Sequence, residues 1–191
     1  MSEPQDAHAS ILWKRLHRPG HEAARVTRAE SLWQISGCAL LVEEALPVRL
    51  EYEVSCDAAW NTRSASVSGW IGEGTIDVQI VVSDDRQWLL NGTPQPAVSG
   101  CVDVDLNFSP STNLLPVRRL NLAVGEEAVV RAAWLRFPSF QLEVLDQVYR
   151  RTAPDLYEYE SAGGSFKAQL RVNEFGFPVE YAGVWEAAAM A

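Results

Sequence analysis

Short runs of alternating apolar and polar residues recur along most of the chain, and this period of two restricts its fold more than any other feature. The clearest runs lie at residues 48–54, 76–80 and 166–172. Successive side chains of a β-strand point to opposite faces, so each run predicts a strand with one buried face. Turn-forming pairs such as Pro19-Gly20 and Asn91-Gly92 separate the runs. Many short strands at this spacing predict an all-β, antiparallel sandwich or barrel.

Helices have little support in the sequence. Residues 139–151 fit a helical stripe and a strand, and we expect a strand. The tail at 186–191 contains helix-forming residues but is too short for a stable isolated helix. The Asn91-Gly92 pair predicts a type I′ hairpin that contains Trp88. Because no repeat or linker divides the chain, residues 1–191 are expected to form a single domain.

Composition and charge exclude several classes of protein. The chain of 191 residues has a formal net charge of −9, whereas a nucleic-acid binder needs a basic face. The first ten residues do not form a secretory signal, and no window approaches the roughly 20 apolar residues of a membrane span. The three cysteines form no CxxC pair and are expected to be buried free thiols. We therefore expect a cytoplasmic protein without a nucleic-acid partner or membrane insertion.

The sequence contains no strong catalytic or metal-binding motif. Signatures of serine hydrolases, zinc proteases, P-loop proteins and dinucleotide-binding proteins are absent. Pro19-Gly20 separates His17 from His21 and breaks the helix that would bring both to one metal. Asp103 begins a pattern like that of a calcium loop, but the required glycine is absent and Leu114 occupies the twelfth position. We expect no cofactor and no metal, and binding is favoured over catalysis.

The segment of residues 100–120 combines an apolar wall with charged side chains. Read as a strand, it places Val102, Val104, Leu106 and Phe108 on one face and Asp103, Asp105 and Asn107 on the other. After a corner made by two prolines come the adjacent cations Arg118 and Arg119, which could neutralise the carboxylates by bidentate pairing. Two roles stay open for the carboxylates. They form structural ion pairs, or they accept hydrogen bonds from the hydroxyls of a ligand such as a sugar.

Aromatic residues are a second sign of a binding function. The chain contains 7 Trp, and several of its Tyr lie in the last quarter. Aromatic side chains buried in a β core are the usual explanation, but a chain of this size seldom needs so many Trp for packing alone. A wide curved sheet with an apolar interior could hold an acyl chain, with polar groups at its mouth for a head group.

These segments resemble the putative glycolipid-binding family of bacterial proteins. The central motif consists of Gly100-Cys101, Asp103–Leu106, Pro110, Thr112-Asn113, Leu115-Pro116 and Arg118–Leu120. Further agreement lies at residues 19–22, 52–63, 125–126, 147–150, 157–161 and 173–185, whereas Ser111 and Asn173 depart from the family pattern. The resemblance implies a strongly curved antiparallel sheet that forms a half-barrel or incomplete barrel with few short helices. That shape is similar to bacterial lipoprotein carriers of acyl chains, and the family supplies no catalytic residues.

The sequence and the resemblance together predict a non-enzymatic protein that binds an amphiphilic ligand, a glycolipid or another lipid, in the concave face of the sheet. The residues expected to frame its polar group are Trp60, Arg63, Asp103, Asp105, Asn113, Arg118, Arg119, Tyr149 and Tyr159. The alternative is an enzyme on a small polar or lipid-linked substrate that uses Asp103/Asp105 with Arg118/Arg119. A structural β module that forms a homo-oligomer is a third alternative.

Overall fold

The computed structural model describes residues 8–29 and 31–191. In this part of the chain, fifteen strands form one sheet and a single α-helix lies between two of them. The expectation about a secretory signal concerns mostly residues 1–7, which lie outside the described residues. The strands are β1 Ala9–Arg15, β2 Gly20–Ala29, β3 Leu32–Glu43, β4 Leu46–Cys56, β5 Thr62–Ile71, β6 Gly74–Val82, β7 Trp88–Leu90, β8 Thr93–Pro94, β9 Asp103–Leu106, β10 Glu127–Arg136, β11 Gln141–Ala153, β12 Leu156–Ser161, β13 Phe166–Val172, β14 Pro178–Tyr181 and β15 Trp185–Met190, and the helix is α1 Leu114–Leu120.

Most strands that are neighbours in the sheet are also neighbours in the chain. The order is β8-β7-β6-β5-β4-β3-β2-β1-β15-β14-β13-β12-β11-β10-β9, so the pairing of β1 with β15 joins two meanders near the middle of the sheet. Strands β8 and β9 lie at the two ends of the order, and the sheet does not close into a barrel. The prediction of an all-β fold is confirmed.

Strand β9 is paired in parallel with β10, where Asp103 lies opposite Ala132. The prediction of a purely antiparallel sheet is wrong at this position. A parallel partner requires a crossover connection, which usually contains a helix, and residues 107–126 supply it through α1. Pro110 precedes the helical segment, and Pro116 lies in the first turn of α1, where its missing N–H costs no intrahelical hydrogen bond. The two prolines therefore lie in a helical crossover and not in a simple corner.

The alternating runs form strands as predicted. Residues 139–151 lie mostly in β11, whose register with β10 continues without a shift from Gln141 to Arg150. The hairpin that contains Trp88 is confirmed, since Asn91 and Gly92 have the positive φ angles, 48° and 77°, that a type I′ turn needs. The tail, expected to be too weak to form a helix, is strand β15 instead and pairs with β1.

One apolar core connects distant parts of the sheet. Ile35 and Leu50, from β3 and β4, pack in the same cluster as Leu106 of β9 and Leu114 and Leu115 of α1. The crossover segment therefore covers part of the apolar face of the strands that precede it in the chain. A second, smaller cluster packs α1 against β10–β13.

Hydrogen bonds also tie the chain just before and within β9 to strands far away in the sheet order. The Thr62 N–H of β5 donates to the carbonyl of Val102 at 3.2 Å, and the Val104 N–H donates to Thr62 Oγ1 at 3.0 Å. Trp88 Nε1 of β7 donates to the carbonyl of Cys101 at 3.1 Å. Strands β5 and β7 thus contact the segment that begins the opposite end of the sheet.

The expectation of buried free thiols is met in part. All three cysteines are free; Cys56 and Cys101 are buried, whereas Cys38 is partly exposed. Within residues 8–29 and 31–191, no helix has the length and apolar character needed to cross a bilayer.

Candidate functional site

A cavity of about 620 Å³ lies where the ends of β1 and β15 approach β9–β12. This volume falls within the range of about 300–1,000 Å³ that is typical of small-molecule sites. Its apolar wall is formed by Phe108, Trp134, Phe137, Leu145, Phe166, Val184 and Trp185. Its polar groups include Arg15, Asp105, Asn107, Ser109, Asn113, Tyr159 and Tyr181. The cavity therefore combines aromatic surface with several hydrogen-bonding side chains.

A wide depression of about 680 Å³ over β1–β4 is larger but has a different character. Part of its lining belongs to the outer face of the sheet, since Ser36 and Cys38 alternate with the core residues Ile35 and Ala39. None of the side chains expected to frame a ligand lines it. We therefore take the 620 Å³ cavity as the candidate site.

Asp105 provides one of the two carboxyl groups that line the cavity, and Glu43 provides the other. Strand β9 places its side chain toward Gln147 of β11, whose Nε2 donates to Asp105 Oδ2 at 2.7 Å and also contacts Tyr159 Oη at 3.0 Å. Among the described residues, Oδ1 accepts no hydrogen bond, so one oxygen is available to a ligand. Burial, together with the nearby charge of Asp103, raises the pKa of Asp105 to about 6. At neutral pH the group is mainly an ionised acceptor.

Asp103 does not line the cavity and is held by an arginine of the crossover helix. Arg119 Nε donates to Oδ1 at 3.0 Å and Nη2 to Oδ2 at 2.5 Å, a bidentate arrangement. The Asp103 side chain is only 1% exposed. Its burial raises the pKa of Asp103, and the guanidinium of Arg119 opposes that rise. The predicted pairing of a strand carboxylate with a returning arginine is present for this pair.

Asn113 and the two tyrosines lie together beside Asp105. Tyr149 Oη donates to Asn113 Oδ1 at 2.9 Å, and Asn113 Nδ2 donates to the carbonyl of Pro110 at 3.1 Å. The rings of Tyr149 and Tyr159 meet edge to face with centroids 5.0 Å apart. Asn113 and Tyr159 line the cavity, whereas Tyr149 supports it from behind through these contacts.

Three of the expected site residues lie elsewhere. Trp60 stacks on Trp33 with ring centroids 4.4 Å apart, and the guanidinium of Arg118 lies 5.4 Å from the Trp60 ring. Arg118 borders a separate pocket of about 430 Å³ beside the end of α1. Arg63 forms an ion pair with Asp84 at 2.5 Å on the surface. The structure does not bring these three side chains to the cavity that contains Asp105.

A buried polar cluster next to the cavity was missed by the sequence reasoning. Tyr52 Oη donates to Glu22 Oε1 at 2.6 Å, and Ser109 Oγ donates to the same oxygen at 2.5 Å. Tyr52 Oη also contacts Ser111 Oγ at 2.8 Å. Burial raises the pKa of Glu22 to about 8, so the carboxyl is largely protonated at neutral pH. The sequence did contain a sign of this burial. Glu22 alternates in the strand with the same period as the apolar Ala24 and Val26, so its side chain points to the same face.

Basic residues also line the cavity. Arg18 Nη1 donates to both carboxylate oxygens of Glu43 at 2.7 Å. Arg15 lies over the Trp185 ring at 5.9 Å, and its Nε and Nη1 are buried without a hydrogen-bond partner in the described part of the chain. Burial and the neighbouring arginines lower the pKa of His17.

Across residues 8–29 and 31–191, no group of three or more His, Cys, Asp or Glu is arranged to hold a metal ion.

The fold and the cavity place the chain in a class of proteins built on one large open β-sheet with a ligand-sized pocket. The profile of the family described as putative glycolipid-binding matches residues 10–187, and the chain belongs to this family. Among solved structures, it is similar to a DUF1089 family protein from Pseudomonas aeruginosa, with a TM-score of 0.76 and 32% sequence identity. That similarity covers 87% of this chain and 91% of the other. No curated protein matches the chain at a significant level.

Proposed function

We propose that this protein binds an amphiphile whose polar part carries hydroxyl groups, as a glycolipid does, and that the 620 Å³ cavity holds that polar part. The observation that carries this proposal is the ionised carboxyl of Asp105 at an aromatic cavity, with Oδ1 free of protein hydrogen bonds among the described residues. A carboxylate is a strong acceptor for hydroxyl donors. Asn113 and Tyr159 offer further hydrogen bonds beside it. Membership of the putative glycolipid-binding family also supports a binding role.

The apolar part of the ligand would contact the aromatic wall. Phe166 is 38% exposed at the cavity, so it offers apolar surface at the boundary with solvent. Burial of each methylene contributes about 0.8 kcal/mol, so even a short alkyl chain would add substantially to the affinity. The polar cluster would then determine which head group is accepted.

The shape of the sheet supports this arrangement. Bonds from Thr62 to Val102 and from Trp88 to Cys101 join strands that are far apart in the sheet order. We infer that the sheet bends into an incomplete barrel, which would bring these segments together. Its inner side is partly filled by Leu114 and Leu115 of α1. The ligand is therefore assigned to the cavity beside β9–β12 and not to the whole concave face.

Titration with octyl β-D-glucoside and with 1-octanol tests this function. Both probes carry the same tail, but only the first carries a sugar, and Trp134 and Trp185 at the cavity provide a fluorescence signal. We expect both probes to bind and Asp105→Asn to weaken the glucoside roughly tenfold, the typical loss of a hydrogen bond to a charged group. The affinity for 1-octanol should stay unchanged.

The control and the pH dependence make this experiment specific. Asp146→Asn on β11 changes an exposed carboxyl that pairs with Arg131 outside the cavity, and it should leave both affinities unchanged. Because the pKa of Asp105 is about 6, the wild-type affinity for the glucoside should fall toward that of Asp105→Asn as the pH drops below this value. Failure of the wild-type protein to bind either probe would contradict the proposal.

One observation favours a second function. A carboxyl in a cleft with a pKa of about 6 is also suited to general acid–base catalysis. Since Asp103 is bound by Arg119, this alternative rests on Asp105 alone and not on the carboxylate pair. Hydrolysis of 4-nitrophenyl glycosides by the wild-type protein, abolished in Asp105→Asn, would support it. Binding without turnover would support the carrier function.

The cellular context belongs to the same proposal. The three free thiols are compatible with a reducing compartment such as the cytoplasm. A carrier in that compartment would hold one amphiphile at a time, and no second copy is needed to complete the cavity described above.

A further inference from the structure

We propose that Arg15 is an anion-binding residue of the cavity and that the ligand carries a negatively charged group in addition to its hydroxyls. This inference rests on the proposed function and specifies its ligand class, an acidic saccharide such as a uronic acid or a sugar phosphate. Arg15 ends strand β1 and lines the same cavity as Asp105. Two of its nitrogens, Nε and Nη1, are buried and make no hydrogen bond to any described residue.

An unpaired guanidinium is unusual because its donors lose water without gaining acceptors. Buried polar groups are nearly always hydrogen-bonded, and each orphan donor costs free energy. Arginine stays protonated even when burial lowers its pKa, as it does here, so the site carries a positive charge. The carboxylate or phosphate of a ligand would supply a charge-assisted acceptor to one edge of this guanidinium.

Among the charged groups around Arg15, the guanidinium of Arg15 is the one assigned to bind an anion. Glu43 is the acidic residue close to it, and Arg18, which donates to both Glu43 oxygens, offsets the negative charge of Glu43. His17 contributes little positive charge at neutral pH because burial lowers its pKa. Asp105 lines the same cavity, and its charge would repel an anion held close to it. The ligand group near Arg15 is therefore acidic, whereas the group near Asp105 is a hydroxyl.

Stacking of Arg15 on Trp185 is the competing explanation, since a cation over an aromatic ring is stabilising by itself. The two explanations differ in what they predict for ligands. If Arg15 only packs on Trp185, its replacement changes stability but not the choice between neutral and acidic ligands. If it binds an anion, its replacement changes that choice.

Calorimetric titration with a matched probe pair tests the inference. Octyl β-D-glucuronide and octyl β-D-glucoside differ only in a carboxylate in place of a hydroxymethyl group. We expect the wild-type protein to bind the glucuronide at least about tenfold more tightly, as one charge-assisted contact would give. Arg15→Gln should reduce this preference to below about threefold, and Arg15→Lys should retain part of it, because lysine keeps the charge but not the fork.

The controls separate this inference from the proposed function. Arg131→Gln removes an exposed arginine outside the cavity and should leave the preference unchanged. Free glucuronate, tested in parallel, identifies the source: binding that depends on Arg15 without a tail supports an acidic sugar, and a requirement for the tail supports an acidic glycolipid. A glucoside that binds as well as the glucuronide, or an unchanged preference in Arg15→Gln, overturns the anion site alone. Absence of binding by every probe overturns the proposed function and the anion site together.

Discussion

At the scale of single residues, Glu22 brings a carboxyl group into the core. Its side chain is 1% exposed and accepts hydrogen bonds from Tyr52 and Ser109. Glu22 Oε2 has no hydrogen-bond partner in the described residues. Because removal from water disfavours the charged form, burial raises the pKa of Glu22 to about 8. The folded protein therefore retains a proton that the unfolded chain releases near the usual pKa of 4.5.

This proton makes stability depend on pH. Between pH 4.5 and about 8 the folded state binds more protons than the unfolded state, so the free energy of unfolding falls as the pH rises through this window. At about 1.4 kcal/mol per pKa unit, the loss is on the order of 5 kcal/mol. Glu22→Gln cannot ionise, and we predict that it flattens this dependence and exceeds the wild-type stability at alkaline pH. Urea unfolding of both proteins between pH 4.5 and about 8 measures this difference in the free energy of unfolding.

Glu53→Gln is the matched control, since Glu53 is an exposed residue of β4. Its stability curve should run parallel to that of the wild type. Parallel curves for Glu22→Gln as well would show that Glu22 ionises normally in the folded protein.

Gly37 is a second residue with a specific structural requirement. It lies opposite Tyr52 in the β3–β4 pair, and a Cβ atom there would come within 2.4 Å of Tyr52 Oη. We predict that Gly37→Ala lowers the free energy of unfolding by about 1–3 kcal/mol, the usual cost of overpacking, and weakens the hydrogen bond from Tyr52 to Glu22. Gly74→Ala is the control, because its nearest neighbouring atom is 3.4 Å away. Equal urea midpoints for the two variants would refute this explanation.

The positions of individual residues show which parts of the site a sequence pattern can predict. Asp105 was predicted to be a site residue because aspartate is uncommon in β-strands. Its side chain does line the cavity. Glu22 was not singled out, because its partner Ser109 is 87 positions away in the chain. Trp60 was expected at the site from its neighbourhood in the family motif, yet its ring stacks on Trp33. Side-chain direction depends on contacts that no local pattern contains.

At the scale of elements, β9 and α1 form one unit held by the Asp103–Arg119 ion pair. Asp103 is 1% exposed and Arg119 is 21% exposed, so the pair lies largely out of water. We predict that Asp103→Ala lowers the free energy of unfolding by about 3 kcal/mol or more, because it leaves a partly buried guanidinium unpaired. Combining it with Arg119→Met should cost less than the sum of the single changes, since the double variant leaves no unpaired charge. Chemical denaturation of the wild type, the two single variants and the double variant measures this interaction energy as a double-mutant cycle.

An exposed ion pair supplies the comparison. Arg171 and Asp155 are 2.7 Å apart, and both side chains are about half exposed. Asp155→Ala should lower the free energy of unfolding much less than Asp103→Ala does, because water and salt screen an exposed ion pair. Similar losses for Asp103→Ala and Asp155→Ala would mean that burial adds nothing to the Asp103–Arg119 pair.

The elements themselves could be predicted where their signal was local. Alternation sufficed for β4, β6 and β13, and the Asn91-Gly92 pair sufficed for the β7–β8 hairpin. Helix α1 was missed because it spans only seven residues, contains Pro116 and gains its stability from burying Leu114 and Leu115. Residues 186–191 became a strand because β1 offers them a partner, which their helix-forming composition does not reveal.

At the scale of the whole molecule, the strand order depends on long-range pairing. Strands joined by short turns pair with each other, so local turn signals predict the two meanders. The β1–β15 pair, in contrast, joins residues near opposite ends of the chain, and β9 pairs with β10 only after a helical crossover. No periodicity within a segment contains this information. The position of the cavity between β1, β15 and β9–β12 follows from these pairings, which explains why its basic side with Arg15 was not predicted.

The bonds between Thr62 and the β9 segment predict that the two halves of the sheet unfold together. Thr62 is fully buried and its Oγ1 accepts the Val104 N–H at 3.0 Å. Thr62→Val keeps the shape of the side chain but leaves this donor unsatisfied, at a cost of about 1–3 kcal/mol. Native-state hydrogen exchange should then show the amides of β5 and of β9–β10 losing protection by the same free energy, because one core connects them. Faster exchange at Val104 alone would mean instead that the β9 segment opens independently of β5, and that the sheet consists of two separately stable halves.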